Sequence, residues 1–129
     1  MSVELTMLVL SVGLLMLIIL IQGAAGILSN GLLAQAGSRD DLPEKKVFHA
    51  RVTRLRDNMM ENLLMFAPVV LVAQAAGVAN AMTVLGAQLF FYARLAHAII
   101  YLAGLPYIRP VPFAIGLVGI IMIARQLFI

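Results

Sequence analysis

Charged and polar side chains recur at helical spacing in the stretch RVTRLRDNMMEN, which begins at position 51. On a helix that turns about 100° per residue, Arg51, Arg54, Asn58 and Glu61 fall within an arc of about 80°. Guanidinium groups bind carboxylates in bidentate fashion, and an ionised carboxylate at membrane depth needs a partner or a wet cavity. The four side chains therefore predict one polar face that looks toward a shared partner.

A second stretch, ARLAHAIIY, carries the complementary pattern on the next predicted helix. Arg94, His97 and Tyr101 lie within about 60° of one another on its surface. Arg94 stands several residues inside an apolar span, and charged groups at that depth are rare enough to indicate a functional site by default. A structural alternative stays open, in which Glu61 pairs with Arg94 and only joins the two helices.

The composition places these helices in a membrane. Hydrophobic residues make up 63% of the 129-residue chain and charged residues only 12%, which is typical of a membrane protein and not of a soluble nucleic-acid-binding domain. The chain has no cysteine, so the protein itself offers no disulfide, thiol nucleophile or cysteine metal ligand. Its histidines lack the spacing of a zinc motif, and we expect no metal site.

Apolar stretches long enough to cross a hydrocarbon core of about 30 Å predict an all-α bundle of four transmembrane helices in a single domain, residues 1–129. Between the third and fourth stretches, GLPYIRPVP concentrates prolines that interrupt a helix and predict a turn. In the loop before the second helix, Asp41 is the candidate N-cap. The predicted helices span about residues 3–28, 47–77, 81–103 and 111–128.

Basic residues indicate how the bundle is oriented. Between Arg39 and Arg56 lie six of the nine Lys and Arg residues, whereas the 77–81 connection has none. Cytoplasmic loops are enriched in Lys and Arg, so both termini are expected on the non-cytoplasmic side and the polar stripes near the cytoplasmic face. The net charge of +3 is then a topological signal with some attraction to membrane lipid.

The stretch RVTRLRDNMMEN, followed by ARLAHAIIYLAGLPYIR, resembles the MAPEG family, the membrane-associated proteins in eicosanoid and glutathione metabolism, and in particular its microsomal glutathione transferases. The resemblance covers nearly the whole chain. It implies a homotrimer of four-helix subunits that binds glutathione as co-substrate between subunits and acts on a hydrophobic small molecule. The implied function is a membrane transferase or peroxidase for hydrophobic electrophiles. The alternative is a non-enzymatic scaffold, or a lipid-binding or thiol-binding protein, that retains the fold.

The resemblance also implies roles for individual residues. Arg109 matches the arginine that approaches the thiol, and a cation there favours thiolate over thiol and supplies a nucleophile near neutral pH. Arg51 and Arg54 would meet the glutathione carboxylates, and Asn58 and Glu61 its other polar groups, including the amino group. The implied glutathione-binding residues are Arg51, Arg54, Asn58, Glu61, Arg94, His97 and Tyr101.

Three positions depart from the family pattern. Asp57 stands where several glutathione-using members have an arginine, which is expected to lower glutathione affinity. Pro110 and Phe113 stand where the family's prostaglandin synthase has hydroxyl side chains. Their loss argues against an isomerase activity of that kind.

Overall fold

The computed structural model describes residues 1–105, 108 and 110–129, and this part of the chain is helical without any strand. Three of its helices, Val3–Asn30, Val47–Ala75 and Ala81–Ala103, are long and apolar enough to cross a membrane, whereas Pro110–Gln126 is a shorter apolar helix. The all-α class is confirmed; the four crossings stay a prediction. The helices are α1 Val3–Asn30, α2 Leu32–Ala36, α3 Val47–Ala75, α4 Ala81–Ala103 and α5 Pro110–Gln126.

Helix ends follow local capping chemistry. The side chain of Ser2 accepts a hydrogen bond from the backbone N–H of Leu5 at 3.2 Å and so caps α1. Asn80 and Thr83 form a reciprocal capping box at the start of α4. The prediction that Asp41 caps the second long helix is wrong. Lys46 occupies that N-cap position without a side-chain cap bond, because the chain between the two residues is not helical.

The short helix α2 is a feature that the predicted spans omit. The side chain of Gln35 folds back over α1, where a Cβ added to Gly26 would lie 2.5 Å from its Nε2 atom. The side-chain amide of Asn30 donates to Oε1 of Gln35 at 3.3 Å. A helix of five residues has too few turns for its hydrophobic residues to show a helical period in the sequence. Its position is therefore visible only from the contacts of Gln35.

The long helices pack through small and aromatic residues. A Cβ added at Gly86 of α4 would lie 2.6 Å from the carbonyl oxygen of Gly119 in α5, so the two backbones touch there. Such close approach needs small residues, which are the usual contact residues of membrane helices. Phe66 of α3 stacks on Phe90 of α4, with ring centroids 3.9 Å apart. These contacts fix the rotation of α3 and α4, on which the site depends.

Candidate functional site

Arg94 lies at the centre of the candidate site, between α3 and α4. Its side chain is only 1% exposed. At about 1.5 Å per residue, it lies about 14 Å along the axis from the last residue of α4. Its Nη2 donates a hydrogen bond to Oδ1 of Asn58 on α3 and lies 3.3 Å from Nδ1 of His97. The polar stripes of the two helices therefore meet at Arg94.

Asn58 is itself held in place by a neighbour that the sequence prediction did not include. The side-chain amide of Asn62 donates to the Asn58 carbonyl oxygen at 2.7 Å and approaches Oδ1 at 3.4 Å. Asn62 is 1% exposed and lies one helical turn from Asn58. The signal was present in the sequence, because an amide four residues beyond Asn58 belongs to the same side of the helix.

The guanidinium of Arg94 has no carboxylate partner within the described residues. The one ion pair there joins Arg56 to Asp57 at 3.0 Å, and Glu61 is exposed on the outer flank of α3. Two further guanidinium atoms of Arg94, Nε and Nη1, are buried without a hydrogen-bond partner in this part of the chain. The alternative pairing of Glu61 with Arg94 is therefore not formed within the chain. A desolvated cation that lacks a counter-ion is costly and favours the binding of an anion.

Arg51 occupies the other end of the stripe, beside the C-terminus of α4. Its Nη1 lies 3.5 Å from the carbonyl oxygen of Leu102, at hydrogen-bond range. A Cβ added at Gly104 would lie 3.0 Å from the guanidinium, so the glycine leaves room for it. Helix C-termini present unpaired carbonyls and a partial negative charge, which a cation stabilises. The contact fixes Arg51 next to the segment that connects α4 to α5.

Two of the remaining predicted residues, Arg54 and Glu61, lie on the open side of the stripe. Arg54 and Glu61 are exposed, while Tyr101 is half-buried with its ring centroid 5.3 Å from that of His97. Arg109, the predicted thiol-activating residue, lies outside the described residues. The structure thus brings together Asn58, Arg94, His97 and Tyr101, and it leaves one flank of the stripe uncovered in the single chain.

The family departures are partly visible in the structure. Asp57 is bound by Arg56 through two guanidinium nitrogens at 3.0 and 3.2 Å, so its carboxylate is compensated locally. Phe113 is 38% exposed on α5, and α5 begins at Pro110. Because the cation of Arg56 lies next to Asp57, the repulsion between Asp57 and an anionic ligand in the stripe is weaker than expected from the sequence.

Three long apolar helices, with the buried guanidinium of Arg94 in the interior of the bundle, indicate an integral membrane protein. The family model described as MAPEG family matches residues 5–129, so the chain belongs to the MAPEG family. Comparisons with curated proteins and with solved structures gave no match.

Proposed function

We propose that the protein is a membrane glutathione transferase or peroxidase that conjugates or reduces hydrophobic electrophiles. Membership of a family in glutathione and eicosanoid metabolism supports the class of reaction. The observation that carries the proposal is the buried guanidinium of Arg94, which no carboxylate of the described chain compensates. An anionic ligand that enters between α3 and α4 would supply the missing counter-charge.

Glutathione fits the charge distribution of the stripes. Arg51, Arg54 and Arg94 contribute three positive charges and Glu61 one negative charge, a net of +2 (3 − 1). Glutathione carries two carboxylates and one ammonium. When its thiol is also ionised, the net charge of the ligand is equal and opposite to that of the stripes. The acid of the stripe offers a partner for the ammonium, and the guanidinium groups bind carboxylates. The site therefore favours the thiolate form over the thiol.

The open flank of the stripe supports a site that is completed by a second subunit. Arg54 and Glu61 are charged but exposed on their own chain; Arg54 lies near the start of the spanning helix Val47–Ala75 and Glu61 at its midpoint. In a homotrimer of four-crossing subunits with both termini on the non-cytoplasmic side, a neighbouring subunit would cover these side chains near the cytoplasmic face. The hydrophobic substrate would then enter laterally from lipid.

Arg109 is the residue that we assign to thiol activation. It belongs to the connection beside which Arg51 is fixed, and a guanidinium there would lower the thiol pKa by stabilising the thiolate. The thiolate would attack the electrophilic centre, and binding near the apolar interior would orient the two reactants. Conversion to alanine should therefore abolish conjugation while the oligomer stays intact.

Isothermal titration of the detergent-purified protein with glutathione tests the binding step, and conjugation of a generic aromatic electrophile tests the reaction. Saturable heat and turnover with glutathione alone among cellular thiols are expected. Arg125, exposed near the end of α5, provides the matched control because Arg125→Gln removes a cation far from the stripes. No saturable heat at millimolar glutathione would contradict the proposal. A scaffold would instead lose its assembly with Glu61→Ala or Arg94→Ala and be indifferent to Arg109→Ala.

A further inference from the structure

A second polar cavity of about 580 Å³ lies where the end of α1, the short helix α2 and the loop after it meet the start of α3. None of the residues assigned to glutathione lines it. At about 100° per residue, the α3 side chains that line it are centred about 130° around the helix from the stripe of Arg51 and Glu61. This cavity, the loop chamber, is therefore separate from the proposed glutathione site. The α3 residues on its wall include His49, Thr53 and Arg56.

The wall of the loop chamber contains a buried nitrogen atom, Nδ1 of His49, without a hydrogen-bond partner in the described residues. His49 is 2% exposed, and its Nδ1 atom makes no hydrogen bond to the described residues. Its other ring nitrogen lies 3.4 Å from the side-chain amide nitrogen of Gln22. Buried polar groups in proteins nearly always have a partner, so an unsatisfied imidazole nitrogen indicates a ligand atom that the protein alone does not supply.

Cations outnumber acids on the chamber wall. Arg39 and Lys45 line it with one carboxylate, that of Glu44, while the charge of Arg56 is already offset by Asp57. The guanidinium of Arg39 is held in position, because its Nε donates to the carbonyl oxygen of Gln35 at 2.6 Å. The chamber is therefore suited to an anion.

The chamber adjoins an apolar groove between α1 and α3, which has a volume of about 340 Å³. His49 lines both cavities, so the polar and apolar spaces meet at this residue. The groove is formed mainly by aliphatic and aromatic side chains, among them Ile21, Leu28 and Phe48, and the last two are exposed at the protein surface. A ligand that fills both spaces has an anionic head and an apolar tail.

We propose that the loop chamber and its adjoining groove bind an anionic phospholipid of the cytoplasmic leaflet, with the phosphate in the chamber and an acyl chain in the groove. The location agrees with this occupant. His49 lies in the first turn of α3, at the membrane boundary of the most basic part of the chain, where anionic headgroups are concentrated. The site is independent of glutathione binding. It would occupy the side of α3 that faces α1, away from the stripe.

Thermal unfolding of the full-length protein in mixed micelles tests this site without glutathione. Phosphatidylglycerol should raise Tm more than the same mole fraction of phosphatidylcholine, and inorganic phosphate should not replace it. Each Lys or Arg at a membrane surface contributes roughly fivefold to the attraction of anionic lipid, so Arg39→Gln with Lys45→Gln should weaken the phosphatidylglycerol effect by at least about tenfold in concentration. His49→Phe preserves the ring shape and should lose part of the effect while the lipid-free protein keeps its stability.

Arg54→Gln is the matched control, since it removes a cation from the same membrane side on the other flank of α3. It should leave the phosphatidylglycerol effect close to that of the wild type. If Arg54→Gln lost as much of the phosphatidylglycerol effect, the lipid would be attracted to the basic surface in general, and the proposed site would be overturned. Equal stabilisation by phosphatidylcholine, or full replacement by inorganic phosphate, would also overturn it. So would crosslinking that places a second copy of the chain in the groove.

Discussion

Replacement of Arg94 by methionine is expected to lower the affinity for glutathione without a matching loss of stability in the ligand-free protein. The side chain is 1% exposed, and its Nε and Nη1 atoms make no hydrogen bond within the described chain. Methionine has a similar length and carries no charge to desolvate. Apolar replacement of buried ionic groups is often neutral or stabilising by about 1–4 kcal/mol. The loss of the charge-assisted bond to Asn58 offsets about 1.5–3 kcal/mol of this gain, so the net change in stability is expected to be small.

Affinity should fall in the same variant. Hydrogen bonds to a charged group contribute about 1.5–3 kcal/mol, and removal of the guanidinium eliminates this interaction with a bound carboxylate or thiolate. Each 1.4 kcal/mol corresponds to a factor of about ten, so the Kd for glutathione should rise by about 10-fold to 150-fold. Arg94→Lys keeps the charge but not the bidentate geometry, so its Kd for glutathione should lie between those of the wild type and Arg94→Met.

Thermal unfolding and isothermal titration on the same preparations measure the two effects. A purely structural role, in which Arg94 pairs with a carboxylate of another subunit, requires the opposite result, because the removal of one member of a buried ion pair destabilises a protein by about 3–5 kcal/mol. A drop in Tm of the ligand-free Arg94→Met protein, with unchanged glutathione affinity, would refute the reasoning. The exposed Arg125→Met variant should change neither quantity.

Three further substitutions probe the scaffold and the reaction. Gly86→Ala introduces a Cβ 2.6 Å from a backbone oxygen of α5 and should lower stability by about 1–3 kcal/mol, whereas Gly13→Ala, with no atom within 4 Å, should be neutral or stabilising in thermal unfolding. Glu4→Gln removes the charge from the 2.6 Å hydrogen bond that joins α1 to Thr83 of α4, and a loss of about 1 kcal/mol is expected in the same assay. Arg109→Ala should reduce the rate of conjugation by about 10²-fold or more with the size of the oligomer unchanged on gel filtration; equal turnover would remove Arg109 from the reaction.

The helical period predicts which side chains share a face, but it does not predict which of them meet. Opposite charge left Glu61 open as an alternative partner of Arg94, and the structure places Asn58 there instead. Asn58 lies about 60° closer than Glu61 to the buried side of α3, which includes Leu55 and Met59. The rotation of the helix is set by its apolar contacts, and the sequence does not rank these because apolar side chains such as Met60 and Leu64 also lie on the exposed side of α3.

The ends of the long helices were also predictable only in part. Asn80 and Thr83 mark the start of α4 in the sequence, and the predicted span 81–103 coincides with Ala81–Ala103. The region between α1 and α3 was less predictable, because α2 depends on the packing of Gln35 against Gly26. A short polar connection has no period and few local signals, so tertiary contacts decide its structure.

An uncompensated cation inside a membrane protein links ligand binding to stability. If glutathione supplies the counter-charge of Arg94, the bound protein should be more stable than the free protein by RT ln(1 + [L]/Kd), which is about 2.7 kcal/mol at a hundredfold excess over Kd. In Arg94→Met this gain at the same glutathione concentration should fall to about 0.3–1.4 kcal/mol, because a Kd raised by about 10-fold to 150-fold lowers [L]/Kd from about 100 to between about 10 and 0.7. A ligand-dependent rise in Tm that survives intact in the variant would show that glutathione binds without Arg94, and the buried guanidinium would then need another anion.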